Sequence, residues 1–234
     1  MPKRRGYGQF CPVAKAAEVL AERWTPLIVR ELLAGSHRFS DLRRGLPLIS
    51  PTVLSQRIKA LQDADVLERR RGERAGAEAR ADAGWEYHLT PAGEALRPII
   101  DQLGAWGRRW IRQEIQREDL DPRFLMWAVR QKLDAGALPT RRLVLEFEFR
   151  DGPARQRRWW IVTQGGDVDL CLKHPGYPVD LTISSAVPTL ARIYLRRLDP
   201  RAAVSAGLVR LQGTAALVRS FPRWYARPAA PAPA

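Results

Sequence analysis

The sequence predicts an α+β protein made of two domains of different character. Residues 7–118 carry apolar side chains at helical spacing, and several of their helix starts are marked by proline. Residues 119–225 instead contain short segments in which apolar and polar side chains alternate, as they do in strands. The character changes around Glu118–Pro122, where we place the domain boundary. A chain of 234 residues is long enough for two domains of this size.

The most informative segment, residues 50–65, predicts a helix that begins at Pro51. Ser50 supplies a side-chain acceptor for the free amides of a helix start, and proline fits the first helical position because no amide hydrogen is needed there. One side of this helix would be apolar, with Leu54, Ile58 and Leu61. The other side would carry Thr52, Ser55, Gln56 and Lys59. Such a face suits base edges and phosphates, although an ordinary solvated face has the same composition.

Further helices are predicted upstream of this segment. Thr25–Pro26 opens a helix that ends at Gly35, and Cys11–Pro12 opens an earlier one. Phe39–Arg44 forms a short helix, and Gly45–Ile49 makes a brief turn into the Ser50 helix. Two helices joined by a short turn make a helix-turn-helix.

A β-hairpin is predicted directly after the helix-turn-helix. Residues 66–71 and 85–89 are strand-forming, and the Gly- and Arg-containing residues 72–84 form a long tip between them. The arginines on or beside the hairpin are Arg69, Arg70, Arg71, Arg74 and Arg80. They favour a basic wing that touches phosphates. The alternative is a solvated edge hairpin whose charges discourage aggregation.

These motifs together resemble the HxlR-type winged helix-turn-helix regulators, over about residues 7–112. The motifs that carry the resemblance are Cys11-Pro12-Val13, Glu22–Ile28, Arg38–Leu42, Ile49-Ser50-Pro51, Leu54–Lys59 and Tyr87–Gly93. The resemblance implies a bacterial, cytoplasmic, dimeric regulator that binds a near-palindromic DNA operator. The tip at 72–84 departs from the family pattern, because it is longer and richer in Ala and Gly. Arg57 lies towards the apolar side, where it would reach a phosphate or an intramolecular partner.

Composition agrees with a polyanionic partner without identifying it. The formal net charge is +14 and the pI is about 10.9, which suits DNA, RNA or an acidic membrane. No stretch approaches the roughly 20 apolar residues of a membrane-spanning helix, and residues 1–5 lack an apolar signal core. We therefore expect a soluble intracellular protein that does not bind membranes.

A long helix is predicted from Thr90–Pro91 to about residue 117. Its apolar residues are Leu96, Ile99, Ile100, Leu103, Trp106, Trp110 and Ile111. We expect a homodimer interface at Leu96, Ile100, Leu103, Trp106 and Trp110, because two DNA half-sites require two copies. The alternative is that this stripe packs only within its own domain.

The chain has two cysteines, too few for a disulfide framework. Cys11 matches the cysteine that HxlR-like proteins often carry at the front of the first helix. A helix N-terminus lowers the pKa of a thiol, so Cys11 is a redox candidate. The alternative is a small apolar residue tucked against Trp24. Nothing marks Cys171 as reactive.

The second domain is predicted to be an α/β sandwich with a mostly antiparallel sheet. A helix follows residue 122, and residues 143–149 alternate strictly, as a half-buried antiparallel strand does. Strands at 158–163, 168–173 and 179–183 would continue a meander across two turns. Helices at 187–198 and 200–206, a strand at 208–211 and a helix at 214–225 complete the domain. The Ala/Pro tail 226–234 is expected to be disordered.

This second domain resembles the sterol-carrier-protein-like domains over about residues 122–225. The resemblance rests on apolar spacing and glycines in Val179–Ile183, Thr189-Leu190, Tyr194–Pro200, Ala203-Val204, Gly207–Gly213 and Leu217. It implies a five-stranded sheet around an apolar tunnel for a lipid-like ligand. Arg196 departs from the pattern, where a glycine is usual. The candidate lining residues are Leu145, Phe147, Phe149, Trp160, Leu170, Leu190, Ile193, Tyr194 and Trp224. The alternative is that they are ordinary core.

Catalytic motifs are largely missing from the sequence. His37, His88 and His174 are far apart in sequence, and the acidic pairs along strands are better explained as solvated charges. We therefore predict a regulator rather than an enzyme, with no cofactor and no metal, whose second domain senses an apolar small molecule. The alternatives are a lipid carrier that no longer regulates genes, and a DNA-binding regulator whose second domain is only structural.

Overall fold

The computed structural model describes residues 6–72, 84–111, 120–134, 136 and 138–225. The chain folds into two compact units, Met1–Gln113 and Glu114–Ala234. The boundary predicted near Glu118, the tip arginines Arg74 and Arg80, and the tail 226–234 lie outside the described residues.

The first unit consists of helices and one hairpin around a single apolar core. Its elements are α1 Pro12–Leu20, α2 Thr25–Leu33, α3 Phe39–Gly45, α4 Pro51–Asp63, β1 Leu67–Arg71, β2 Trp85–Leu89, α5 Pro91–Glu94 and α6 Arg97–Trp110. Strands β1 and β2 pair antiparallel, as predicted. The buried core comes mainly from α2, α3, α4 and the turn between α3 and α4. This is the predicted helix-turn-helix followed by a wing.

The helix starts follow the predicted chemistry in one case and depart from it in another. The Ser50 hydroxyl accepts a hydrogen bond from the Val53 amide at 3.2 Å, so α4 begins as predicted. Helix α2 has no side-chain cap: Thr25 is already helical and buried, and the capping position is Trp24 at φ 77°. Gly35, at φ 90°, follows the end of α2 and tolerates this left-handed conformation.

A buried carboxylate fixes α2 against the end of α3. Glu31 is buried, pairs with Arg30 at 2.7 Å, and accepts a hydrogen bond from the Ser36 hydroxyl at 3.2 Å. A Cβ atom at Gly45 would lie 2.1 Å from the nearer oxygen of this carboxylate. Only glycine fits at the entrance to the turn that leads into α4.

The single long helix predicted from Thr90 is wrong. It is divided into the short α5, which ends at Glu94, and α6, which begins at Arg97 and ends at Trp110. Pro98 explains the division: proline has no amide hydrogen for the Glu94 carbonyl, and its ring crowds that carbonyl. At Ile111 the backbone is already extended, with ψ 106°.

The second unit contains a five-stranded sheet with helices. Its elements are α7 Pro122–Lys132, β3 Leu143–Phe149, β4 Arg158–Gln164, β5 Asp167–Cys171, β6 Leu181–Ser185, α8 Val187–Tyr194, α9 Pro200–Ser205, β7 Val209–Gly213 and α10 Ala215–Ser220. The strand order in the sheet is β5-β4-β3-β6-β7. Three of the four strand pairings are antiparallel, which confirms the predicted mostly antiparallel sheet.

The prediction of a simple meander is wrong. Strands β3, β4 and β5 follow one another through antiparallel pairs, but β6 pairs parallel with β3 on its other side. Gly165 and Gly166 form the β4–β5 turn with φ 61° and 99°, the values that a tight two-residue hairpin turn needs. The segment 172–180 therefore has to pass both β4 and β3 before β6 begins. A parallel pair requires such a crossover.

The core of the second unit lies on one face of its sheet. Leu143, Leu145, Phe147 and Phe149 of β3 are all buried on this face, as their alternation predicted. Helices α7, α8 and α10 contribute buried residues to the same cluster. Val144, on the opposite face, is also buried, so β3 is a central strand covered on both sides at that point.

Candidate nucleic-acid interface and ligand-binding core

The polar face of α4 is exposed along its length. Its residues are Thr52, Ser55, Gln56 and Lys59. The opposite side is locked into the core, since Leu54, Ile58 and Leu61 are at most 3% exposed. Lys59 forms an exposed ion pair with Asp63 at 2.9 Å, an arrangement that contributes little stability and that a phosphate can replace. The helix presents donors and acceptors on a rigid support.

Arg57 is held inside the unit, which corrects its assignment to the DNA-binding residues. Its guanidinium lies 2.7 Å from a carboxylate oxygen of Glu22, and its Nε donates to the Arg23 carbonyl at 3.2 Å. The Arg57 side chain is mostly covered, and its contacts with Glu22 and Arg23 connect α4 to the segment between α1 and α2. Of the two roles that the sequence left open, the structure places it in the intramolecular one.

The wing strands direct their arginines to two sides. Arg69 and Arg71 alternate with Arg70, so the first two share one face and Arg70 lies on the other. The Arg69 guanidinium stacks over the Trp85 ring at 3.8 Å. Arg70 forms an ion pair with Glu68, so part of its charge is balanced locally. Arg71 is exposed at the end of β1.

A cluster of ionisable side chains at the base of the wing was not predicted. The rings of His37 and His88 stack with centroids 4.2 Å apart, although 51 residues separate them in sequence. Glu86 lies 3.2 Å from His88 and 3.4 Å from Arg38. Partial burial acts to raise the pKa of Glu86, but hydrogen bonds from His88 and Arg38 outweigh it and hold this pKa below its ordinary value.

The cluster forms because the chain before α3 joins the wing. The Tyr87 amide donates to the His37 carbonyl at 2.7 Å, and Arg38 forms a β-bridge with Glu86. The His37 ring also lies 3.1 Å from the Tyr87 carbonyl. The sequence carried no signal for this pairing, because neither segment alternates in a way that identifies its partner. It fixes the wing against the helix-turn-helix.

Helix α6 exposes an apolar face that differs in part from the predicted one. Ile99, Leu103, Trp106 and Trp110 are 52–62% exposed at helical spacing. The predicted interface residues Leu96 and Ile100 instead pack against the core of their own unit. Leu96 and Ile100 lie at the start of α6 on the side that meets the core, whereas Ile99 lies further round the helix and Leu103, Trp106 and Trp110 lie further along it.

The two cysteines differ in environment. Cys11 precedes α1 and is exposed, so the alternative of a thiol tucked against Trp24 is wrong. Exposure is compatible with the redox role expected for Cys11. Cys171 is half-buried, and burial, with a smaller contribution from the nearby Asp169, raises the pKa of its thiol. A raised pKa keeps Cys171 in its less reactive neutral form.

Most of the predicted ligand-lining residues come together in the core of the second unit. Leu145, Phe147, Phe149, Leu190, Ile193 and Trp224 are fully or almost fully buried there. Leu170 and Tyr194 pack against this cluster at its edge. Trp160 is placed differently: its cross-strand neighbours are Glu146 and Cys171, on the opposite face of the sheet. The assignment of Trp160 to the lining is therefore wrong.

One buried hydroxyl on the core face has no hydrogen-bond partner among the described residues. Thr163 is 3% exposed, and its Oγ1 contacts no donor or acceptor there. Its strand neighbours in the ladder are Leu143 and Val168. A buried hydroxyl without a partner is destabilising by about 1–3 kcal/mol, so this group can gain from a polar atom placed beside it.

The described residues contain neither a cluster suited to a metal ion nor a helix suited to crossing a membrane. No group of three or more His, Cys, Asp or Glu side chains in these ranges is arranged to hold a metal ion. Within the same ranges, no helix is both long and apolar enough to cross a membrane.

Comparison with known proteins places the first unit. The family described as HxlR-like helix-turn-helix matches residues 19–115. The HTH-type transcriptional regulator YvaP of Bacillus subtilis, itself uncharacterized, is 37% identical over 118 residues, which span 50% of this chain and 95% of that protein. The chain belongs to the HxlR-like helix-turn-helix family. The expected winged helix-turn-helix regulator is thereby confirmed.

Other proteins are similar to the same part of this HxlR-like chain. The HTH-type transcriptional regulator YodB of Bacillus subtilis is 30% identical over 98 residues, which cover 42% of this chain and 82% of YodB. The solved structure of its reduced form is 28% identical and covers 44% of this chain and 97% of that chain, with a TM-score of 0.36.

The second unit of the HxlR-like chain matches another family. The SCP-2 sterol transfer family matches residues 129–223. This match confirms the predicted sterol-carrier-protein-like domain. The chain thus joins a helix-turn-helix unit to a domain similar to the SCP-2 sterol transfer family.

Two further exposed residues lie close to α4 in the HxlR-like chain and are not among the residues predicted from the sequence. Arg43 is exposed in the last turn of α3, and Leu48 is exposed in the turn between α3 and α4. Arg43 follows the buried Leu42, and a helical wheel of α3 would have placed it outward. The sequence gives no such signal for Leu48, because the nearby Leu46 and Ile49 are equally apolar and yet buried.

Proposed function

We propose that the chain is a sequence-specific DNA-binding transcriptional regulator whose α4 enters the major groove of an operator. The observation that carries this proposal is the exposed polar face of α4 on a helix anchored by buried Leu54, Ile58 and Leu61. Hydroxyl, amide and ammonium groups are the groups that recognise base edges in that groove. The net charge of +14 attracts the phosphate backbone and steers association.

Phosphate contacts come from cations that flank α4. Arg71 of the wing and Arg43 of α3 are exposed, and Arg69 is oriented by its stacking on Trp85. Arg70 contributes less, because Glu68 balances its charge. Arg74 remains a candidate. Such contacts strengthen binding to every sequence and make it depend on salt.

The regulator acts as a homodimer through the exposed face of α6. A face of two tryptophans, one leucine and one isoleucine is too apolar to be left in water without a function. A second copy related by a two-fold axis covers it with the same surface. Two copies then present two α4 helices to the half-sites of a near-palindromic operator, in the cytoplasm.

The second unit binds an apolar small molecule, such as a fatty acid or an isoprenoid. The match to the SCP-2 family and the apolar cluster that contains Phe147, Phe149 and Trp224 support this role. The unpartnered hydroxyl of Thr163 suits the polar end of such a ligand. The ligand changes operator affinity only if it favours one arrangement of the two DNA-binding units.

Operator selection from a random DNA library tests the first part of the proposal. The variant in which Thr52, Ser55, Gln56 and Lys59 are all alanine should lose the selected sequence, and Gln56→Ala alone should weaken it by about 1–3 kcal/mol. Gln62→Ala changes an amide on the same side of α4 as Ser55 but at the C-terminal end of the helix, away from the start that approaches base edges, so this control variant should bind normally. Unchanged footprints with the quadruple variant would remove α4 from the mechanism.

Ligand binding is tested on the intact chain by native mass spectrometry and by titration with a fluorescent fatty acid. Saturable binding of one molecule per chain, with Thr163→Val weakening it, supports the proposal. Operator footprints with and without the bound lipid then distinguish a lipid sensor, whose footprint changes, from a protein that only carries lipid. If no lipid binds, the second unit is structural; if lipid binds but no DNA sequence is selected, the chain is a carrier.

A further inference from the structure

The turn between α3 and α4 holds one side chain out in a fixed position. The Ile49 amide donates to the Leu46 carbonyl at 3.1 Å, which closes a four-residue turn over residues 46–49. Both ends of the turn are core residues, because Leu46 and Ile49 are buried. Pro47 occupies the second position, where its fixed φ suits a β-turn. The tip of the turn is therefore rigid.

Leu48, at the third position of this turn, points away from the core. It is 83% exposed, although its neighbours at both ends of the turn are buried. The core of the unit therefore gains little from a leucine here. Leu48 also lies two residues before Ser50, the capping residue of α4. The start of a recognition helix is the part that approaches base edges most closely.

We propose that Leu48 determines sequence specificity by packing against the 5-methyl group of a thymine in the operator. This inference rests on the proposed function of α4. Thymine alone among the four DNA bases carries a methyl group in the major groove, and an apolar side chain is what recognises it. The polar face of α4 offers few apolar groups for that contact. Because Pro47 and Pro51 restrain the backbone on both sides, Leu48 loses little freedom on binding.

Replacing thymine by uracil in the operator tests the contact directly, since the change removes only the methyl group. Each dT of the selected operator is changed in turn to dU, and affinity is measured by fluorescence anisotropy. For the full-length unmodified protein, dU at one position of each half-site should weaken operator binding about fourfold, the factor expected for one buried methyl group. The Leu48→Ala variant should bind the dT and dU operators equally well at that position.

Two further variants make the result specific to Leu48. Leu48→Met keeps an apolar side chain of similar reach and should retain the sensitivity to dU. Leu172→Ala changes an exposed leucine of the second unit and should behave like the unmodified protein. All variants should keep the thermal transition of the unmodified protein, since neither leucine belongs to a core.

The inference is overturned if the unmodified protein is indifferent to dU at every position, or if Leu48→Ala responds to dU as strongly as the unmodified protein does. In both cases the loss of binding by the quadruple α4 variant still stands, so the proposed function survives. Failure to select any operator would instead contradict both.

Discussion

Replacing Leu103 by aspartate is expected to convert the dimer to monomers while the single chain stays folded. Leu103 is 53% exposed and lies on the α6 face with Ile99, Trp106 and Trp110. Because it belongs to no core cluster of the described residues, a charge at this position remains in water in a monomer. In a dimer the same charge is covered by the apolar face of the second copy.

The size of the effect follows from the exposure of Leu103. Burying a whole leucine side chain is worth about 1.5–3 kcal/mol, so covering the exposed half contributes roughly 1 kcal/mol in each copy. The two aspartates add the unfavourable burial of two unpaired carboxylates, on the order of 1 kcal/mol or more each even if they stay partly hydrated. Together the dimer should weaken by at least about 4 kcal/mol, or roughly a thousandfold in Kd.

Sedimentation velocity over a range of protein concentrations measures this change, and circular dichroism on heating checks that the fold persists. Leu172→Asp is the matched control, because Leu172 is 67% exposed in the second unit. It should sediment like the unmodified protein. A Leu103→Asp variant that remains a dimer with unchanged Kd would refute the interface on α6. An unfolded variant would refute the placement of Leu103 outside the core.

Three other changes follow from contacts of the first unit. Arg57→Met removes the ion pair with Glu22 and should lower the free energy of unfolding, measured in urea, by about 0.5–1.5 kcal/mol. An unchanged urea concentration at the midpoint of unfolding would show that this ion pair does not stabilise the position of α4. Gly45→Ala forces a methyl group onto the Glu31 carboxylate and should destabilise by about 2–4 kcal/mol, whereas unaltered thermal unfolding would contradict the close approach. The pKa of Glu86 is lowered in the folded protein, so its charged form stabilises the fold at pH values above the unfolded pKa of about 4.3. This stabilisation is lost as the pH falls through the lower pKa that Glu86 has in the folded protein. The Glu86→Gln variant should therefore lose less stability on acidification than the unmodified protein. If the free energy of unfolding of both proteins falls equally with decreasing pH, Glu86 does not make this contribution.

Local signals in the sequence were sufficient for most of the elements. Ser50–Pro51 marked the start of α4 because capping needs only neighbouring residues, and the structure shows the bond that was expected. The alternation in residues 143–149 gave the core face of β3 in the same way. The continuous apolar stripe after Thr90 predicts one helix, but Pro98 is a stronger local signal and divides it into α5 and α6.

Contacts between distant segments were not available from the sequence. The parallel pairing of β3 with β6 and the stack of His37 on His88 each join segments whose own patterns fit several partners. Trp160 was placed on the wrong face because two adjacent tryptophans, Trp159 and Trp160, are equally apolar in sequence. The ladder with β3 decides that Trp159 faces the core.

The sequence by itself determined the two kinds of domain, the exposed polar face of α4 and the residues that could form each core, because periodicity and capping depend on near neighbours. Tertiary structure alone decided which of these residues stay accessible. Arg57 forms an ion pair with Glu22, Leu96 and Ile100 pack against the core, and Leu48 is exposed to solvent. Accessibility depends on how the elements pack, and packing is settled by contacts between segments far apart in the chain.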